Sequence, residues 1–334
     1  MSQVSNVLDS ENGLPPDTRD YTEDETQPLL NSNRSHPDPG LDVIDLSGID
    51  NPHNPMNMPA WRKWSCTCVL GAMTFAATFS SSVFNAAIPV TAREFNVSPE
   101  TMSLATSLFV FGFAAGPVLM GPASELLGRK IPFFLGYLAF ILLQIPVALA
   151  QDAHSVLVFR FLSGVASAAS PAIVGGYLAD FLAPIDRGVA VAVFAAMTLI
   201  GPEIGAIMGA VLVQSHLGWR WTAWISLILG AVFSIFGFFI LPETYLPVLE
   251  QRRAQRLRRE NKQWALHSRM DETSISFKDF AVRYLTRPMV MLCLEPILSL
   301  MTLYVSFVFG LVYLLFVVSL PQPPTLEPNA DSLS

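Results

Sequence analysis

Residues 101–152 read TMSLATSLFVFGFAAGPVLMGPASELLGRKIPFFLGYLAFILLQIPVALAQD. Two long apolar runs flank a short charged turn. Between Glu100 and Glu125 lie 24 residues without a charge, and between Lys130 and Asp152 lie 21. A helix rises 1.5 Å per residue, so about 20 apolar residues cross the hydrocarbon core of a bilayer. Both runs meet that length. The turn between them carries Glu125, Arg129 and Lys130 and is too polar for lipid. The stretch predicts two membrane-spanning helices joined at one membrane face.

The same spacing of charges continues on both sides. Lys63 and Arg93 are separated by 29 uncharged residues, and Arg220 and Glu243 by 22. Residues 153–179 contain only Arg160, and residues 188–219 only Glu203. Six spans therefore fit within residues 61–241, joined by short loops. Residues 242–288 form a charged segment with ten Lys/Arg and six Asp/Glu, and residues 289–319 are a seventh apolar stretch whose one charge is Glu295. The predicted class is an all-α polytopic membrane protein, closing on a polar tail at 320–334.

Composition agrees and excludes several functions. Charged residues make up 14% of the chain, against about 25% in soluble domains. The net charge of -7 divides unevenly. Residues 1–60 hold 11 acidic residues against Arg19 and Arg34, giving -9, and residues 61–334 hold 16 against 18 basic, giving +2. The first 60 residues, with eight prolines, are predicted to be a disordered acidic cytoplasmic tail, and they lack the apolar core of a signal peptide. No basic stripe suits nucleic acid. Cys66, Cys68 and Cys293 form neither a disulfide framework nor a zinc spacing. No phosphate loop, metal spacing or nucleophile triad is found, so neither an enzyme nor a cofactor is expected.

Loop charges predict the orientation. With the N-terminus in the cytoplasm, inside segments hold Arg62, Lys63, Arg129, Lys130, Arg187 and the ten basic residues of 242–288, which is 15. Outside loops hold Arg93 and Arg220, which is 2. This bias argues against a seven-helix receptor, whose N-terminus lies outside. The sequon Asn96-Val97-Ser98 falls in an outside loop, next to Pro99, which disfavours its use.

Several residues stand out inside the spans. Arg160 lies seven residues into span four, where a charge is costly unless it faces a cavity or partner; the alternative is snorkelling to the outer interface. Glu203 sits mid-span beside Pro202 and is read either as a proton-exchanging carboxyl or as a protonated group bonded to a neighbouring helix. Glu295 precedes Pro296 and is either a coupling site or a structural partner of a loop arginine. Asp180, at the inner end of span four, is either a latch for the 121–130 turn or a solvated helix end. Runs of small residues at 163–176 and 201–210 allow close helix approach. Phe109, Phe111 and Phe113 line a pocket or face lipid. The basic run 250–262 is read as attracted to anionic headgroups.

These motifs together resemble a known family. Gly121, Glu125, Gly128, Arg129 and Lys130 are similar to the signature loop of the major facilitator superfamily, with Glu where Asp is usual. RFLSG (160–164) resembles its arginine motif. GPEIGAIMG (201–209) resembles the glycine-proline motif of its drug:proton antiporters, with Gly201, Pro202, Gly205 and Gly209 as helix-bending positions and Ala206 and Ala210 departing from the pattern. GWRWTAW (218–224), LPETYLPVLEQRRAQRLR (241–258) and 287–316 look like fungal twelve-span drug and polyamine exporters. The resemblance covers about Trp61 to Phe316.

The resemblance implies a plasma-membrane transporter that exports drugs, polyamines or other small amphipathic molecules against protons, with the proton gradient as its energy source. It implies proton coupling through Arg160, Glu203 or Glu295 and gating through the signature loop and Asp180. Its partners are the lipid bilayer and a small-molecule substrate. The family uses two six-span halves, and the 274 residues after the tail suffice for one half plus a seventh span. A C-terminally truncated exporter, a half-sized dimer, and a non-transporting regulator or scaffold are the readings left open.

Overall fold

A computed structural model describes residues 54–261 and 290–319. The predicted disordered tail lies outside these residues up to position 53, as do 262–289 and 320–334 of the predicted charged loop and polar tail. Six helices are long and apolar enough to cross a membrane among the described residues, over Ala60–Glu94, Pro99–Leu126, Lys130–Ala148, Ala153–Phe181, Pro184–Gln214 and Trp221–Ile240. They coincide with the six charge-poor intervals, because an ionised side chain is tolerated at a span end and expensive within it.

Helix α1 (Ala60–Ser82) is entered from a 3-10 turn at Pro55–Asn57, where the Asn54 side chain accepts from Met56 N at 3.0 Å. The 3-10 turn and the start of α1 thus lie on either side of the compositional boundary at 60. The first span breaks after α1, passes through a 3-10 turn at Asn85–Ala87, and finishes as α2 (Ile88–Glu94). Span two is α3 (Pro99–Leu126), with Pro99 in its first turn and Ser98 Oγ accepting from Thr101 N at 3.2 Å. Span three is α4 (Lys130–Ala148). Span four is divided at Ala168 into α5 (Ala153–Ser167) and α6 (Ala169–Phe181). Spans five and six are α7 (Pro184–Gln214) and α8 (Trp221–Ile240). Helix α9 (Leu246–Asn261) follows, within the predicted charged loop.

The predicted seventh span appears as helical residues 290–294, a break at Glu295, and α10 (Pro296–Ser319). This helix has 24 residues. Burial is uneven across the bundle. In the first span 78% of the apolar window is buried, against 22% in spans two, five and six. Span one packs chiefly against spans five and six.

Small residues make that packing possible. A Cβ on Gly201, Gly205 or Gly209 of α7 would collide with Thr78 Oγ1, Ser82 Oγ or the Val83 carbonyl. Gly112 of α3 and Gly164 of α5 meet the partner backbone in the same way, at the carbonyls of Phe161 and Phe109. Lipid offers no hydrophobic gain for helix association, so van der Waals contact at short range carries it. The glycines of the 201–209 motif lie within α7 and fit it against α1. The Pro202 carbonyl accepts from Ser82 Oγ at 2.6 Å.

Gly205→Ala is expected to lower the thermal midpoint of the detergent-purified protein, since overpacking of this kind costs about 1–3 kcal/mol. Gly175→Ala, whose added Cβ meets nothing within 4 Å, is expected to leave the midpoint unchanged or raise it. Equal midpoints for the two variants would remove the packing account.

Candidate functional site

The first cluster surrounds the break in span one. A helix leaves its last carbonyls without intrahelical donors and carries a partial negative charge at that end. In α1 this end lies inside the apolar bundle. Arg160 supplies the donors: Nη1 bonds the Ser80 carbonyl at 2.8 Å and Nη2 the Ser81 carbonyl at 3.3 Å. Its side chain is 2% exposed, with the guanidinium 4.6 Å from the Phe109 ring and 5.0 Å from the Phe84 ring. Snorkelling is ruled out by this burial. Arg160 turns inward because α1's end offers it two acceptors and a favourable dipole.

Polar side chains extend the cluster. Gln144 Nε2 donates to Ser80 Oγ at 3.2 Å and Ser163 Oγ at 2.8 Å, and Thr106 Oγ1 donates to Asn85 Oδ1 at 2.7 Å. Asn85 Nδ2, Gln144 Oε1 and Arg160 Nε are buried without a partner among the described residues. No carboxylate pairs with Arg160 there. Of the three phenylalanines read as lining a pocket or facing lipid, Phe109 lies against this cation, Phe113 packs on the core, and Phe111 is 65% exposed and stacks on Phe161.

The second cluster ties span ends on the face that bears the 127–130 turn. Gly128 takes φ +88°, in the left-handed region that an L side chain adopts at a cost, and its open side faces the Glu243 carboxylate. That geometry aims two backbone donors at Glu243: Arg129 N at 2.9 Å from Oε1 and Lys130 N at 3.2 Å from Oε2. Glu243 Oε1 also accepts from Thr244 N and Tyr245 N, at 3.1 and 3.2 Å. Arg129 Nε pairs with Asp180 Oδ2 at 3.2 Å, Nη1 donates to Ser124 Oγ at 2.9 Å, and the guanidinium stands 4.8 Å over the Tyr245 ring. Thr244 Oγ1 also donates to Asp180 Oδ2, at 3.2 Å. Burial, with the Glu125 charge adding to it, pushes the Tyr245 phenol above its ordinary range, so a neutral ring faces the cation.

The Arg129 side chain brings Asp180 and the 127–130 turn together. Glu125 is not the partner of Arg129, and Gly121 has open space where a Cβ would stand. Lys130 Nζ donates to the Phe238 carbonyl at 3.3 Å and lies 5.0 Å from that ring. Glu203 is exposed on α7, away from the glycine face that meets α1, and makes no described bond to a neighbouring helix. Glu295 is exposed at the break before α10, without an ion pair among the described residues. The three coupling candidates do not converge.

Two groups escaped the sequence reading. Glu243 was quoted within LPETYLP without a role; its signal was an acid directly after a Leu-Pro that ends a span. At the opposite face, Glu94 holds Trp219 and Arg220 together. Trp219 Nε1 donates to Glu94 Oε2 at 2.5 Å, and Arg220 Nη2 lies 2.9 Å from Glu94 Oε1 and 3.3 Å from the Ala150 carbonyl. This knot joins spans one and three to the start of span six.

Comparison with known proteins agrees with the fold. The family model for the Major Facilitator Superfamily matches residues 70–325. A citrinin biosynthesis cluster MFS transporter of Monascus ruber is 49% identical over 275 residues, covering 82% of this chain and 55% of the relative. The MFS-type transporter tazK of Aspergillus terreus is 64% identical over 198 residues, 59% of this chain and 56% of tazK. A cercosporin MFS transporter of Cercospora nicotianae is 48% identical, covering 82% and 54%. The chain spans about half the length of the curated relatives it matches. Among solved structures, the Escherichia coli xylose transporter XylE in its inward-open conformation superposes with TM-score 0.51 at 14% identity, covering 70% of this chain and 57% of that one. That likeness concerns the fold alone.

Glu243→Ala is expected to destabilise the protein by about 1.5–3 kcal/mol, the range for hydrogen bonds to a charged acceptor. Amide hydrogen exchange at Arg129 and Lys130 should accelerate with it. Glu243→Gln, which keeps one acceptor oxygen, should fall between. Unchanged exchange in Glu243→Ala would show that Glu243 does not hold the turn.

Proposed function

The chain belongs to the major facilitator superfamily, and from that premise we propose that it serves as a proton-coupled exporter of small amphipathic molecules. The observation that carries the reading is Arg160: a buried cation held on the free carbonyls of a broken span, without a carboxylate among the described residues. Ionisable groups inside a membrane mark ion and substrate paths, and transporters commonly use the ends of discontinuous helices for them. The carbonyls neutralise the charge only while α1 and α5 keep this register. A shift of span one against span four separates the cation from its acceptors, and a conformational step of that kind is what coupling requires.

The two face clusters support the same reading. Alternating access needs each six-span half to move as a unit. The Glu243–Arg129–Asp180 cluster ties the ends of spans two, three, four and six, and the Glu94 knot ties the other face. The relatives named for citrinin and cercosporin make fungal secondary metabolites the substrate class we favour. Glu203, exposed beside the glycine motif, is the candidate proton carrier. The plasma membrane is the proposed location, with the N-terminus and the 127–130 turn on the cytoplasmic side, as the loop charges favour.

The full chain reconstituted into vesicles with an imposed pH gradient tests this. A fluorescent amphipathic dye should accumulate while the gradient lasts. Arg160→Ala, checked for monodispersity, should abolish accumulation, and Glu203→Gln should flatten its pH dependence. Accumulation that ignores the gradient, or that survives both substitutions, would overturn the proposal.

A further inference from the structure

Helix α9 divides its residues between two faces. At 100° per residue, Arg252, Arg256 and Arg259 fall at i, i+4 and i+7 on a single stripe. All three are exposed, and Gln255 beside them is exposed as well. Glu250 and Ala254 lie on the opposite side and are buried, at 9% and 0% exposure, with Leu257 half-buried between them. The stripe therefore points away from what α9 packs on. It holds three positive charges, and Glu250 is turned to the other face.

The position of this helix matters as much as its charge. Leu246 follows Ile240, the last residue of span six, after five residues. Those five include Glu243, Thr244 and Tyr245, which are bonded to or stacked on the span ends at Arg129, Lys130 and Asp180. The first turn of α9 is thereby fixed at the membrane face. At 1.5 Å per residue, Arg252 stands about 9 Å along the helix from Leu246, roughly one Debye length at physiological salt. Arg62 and Lys63, at the start of span one, lie at the same face beside the exposed Trp61.

We propose that the Arg252–Arg256–Arg259 stripe binds anionic phospholipid headgroups of the leaflet next to the 127–130 turn. Guanidinium groups match phosphate in a planar, two-pronged geometry, and long arginine side chains reach the interface from a helix beside it. A basic residue near an anionic surface contributes roughly fivefold to its occupancy. Because α9 grows out of the Glu243 cluster, the stripe connects that leaflet to the turn that joins spans two and three. The inference requires only the six-span body in a bilayer, and it stands or falls independently of substrate or proton coupling.

The test uses the full chain assembled into nanodiscs from phosphatidylcholine with one tenth phosphatidylserine, followed by detergent exchange and assay of the retained lipids. The wild-type chain should retain phosphatidylserine several-fold above its bulk share, and high salt should reduce the excess. Arg252→Gln, Arg256→Gln and Arg259→Gln together should bring the ratio near the bulk value, while the matching lysine triple keeps most of the excess. Because the three positions are exposed, both triples should elute as the wild type does. Loss of the excess in Arg62→Gln, Lys63→Gln instead would assign it to span one and overturn the proposal. So would an unchanged excess in the glutamine triple. Binding of polyglutamate without lipid preference would identify a soluble acidic partner and contradict a headgroup site.

Discussion

The Arg160 guanidinium, placed on the Ser80 and Ser81 carbonyls, determines how span one can break inside the bundle. Backbone groups without partners are costly in an apolar medium, so a helix interrupted there needs donors from elsewhere. The same bonds remove the cost of burying a cation, which faces the negative end of α1 instead of a carboxylate. Each group is tolerated because of the other. Around this pair the bundle adds Phe84 and Phe109 as ring faces, and Gln144, Ser163 and Asn85 as a polar shell.

The remaining architecture keeps that contact in register. Gly201, Gly205 and Gly209 bring α7 onto α1 immediately beside the break, and Gly112 and Gly164 bring α3 onto α5 beside Arg160. At one face, Glu243 and Asp180 gather the turn between spans two and three; at the other, Glu94 gathers Trp219 and Arg220. Charges therefore occur in three layers. The outer two lie at span ends, where ion pairs are only partly desolvated. Between them, among the described residues, Arg160 is a buried cation with dipoles for partners, and Glu203 lies exposed on α7.

The spans were legible in the sequence because a bilayer penalises charge so strongly that charge-poor intervals mark helix positions. Close packing was legible as well, from small residues at 163–176 and 201–210. Three things were not. The break in span one leaves no glycine or proline at Ser82–Asn85; it depends on Arg160, 75 residues further along. The partner of the signature loop is Glu243 as well as Asp180, and 113 residues separate Glu243 from Lys130. Glu125 and Arg129 stand four residues apart, yet α3 ends at Leu126 and the left-handed Gly128 directs Arg129 toward Asp180. Each of these depends on tertiary geometry that local spacing does not encode.

The central claim is that Arg160 caps the interrupted end of span one. Hydrogen–deuterium exchange over residues 80–90 in Arg160→Met tests it most directly, because methionine keeps an unbranched apolar stem and removes the donors. The account predicts faster exchange across the break, with a loss of stability of about 1–3 kcal/mol, as when a buried acceptor is left without its donor. Exchange equal to wild type, with stability unchanged or increased, would contradict it.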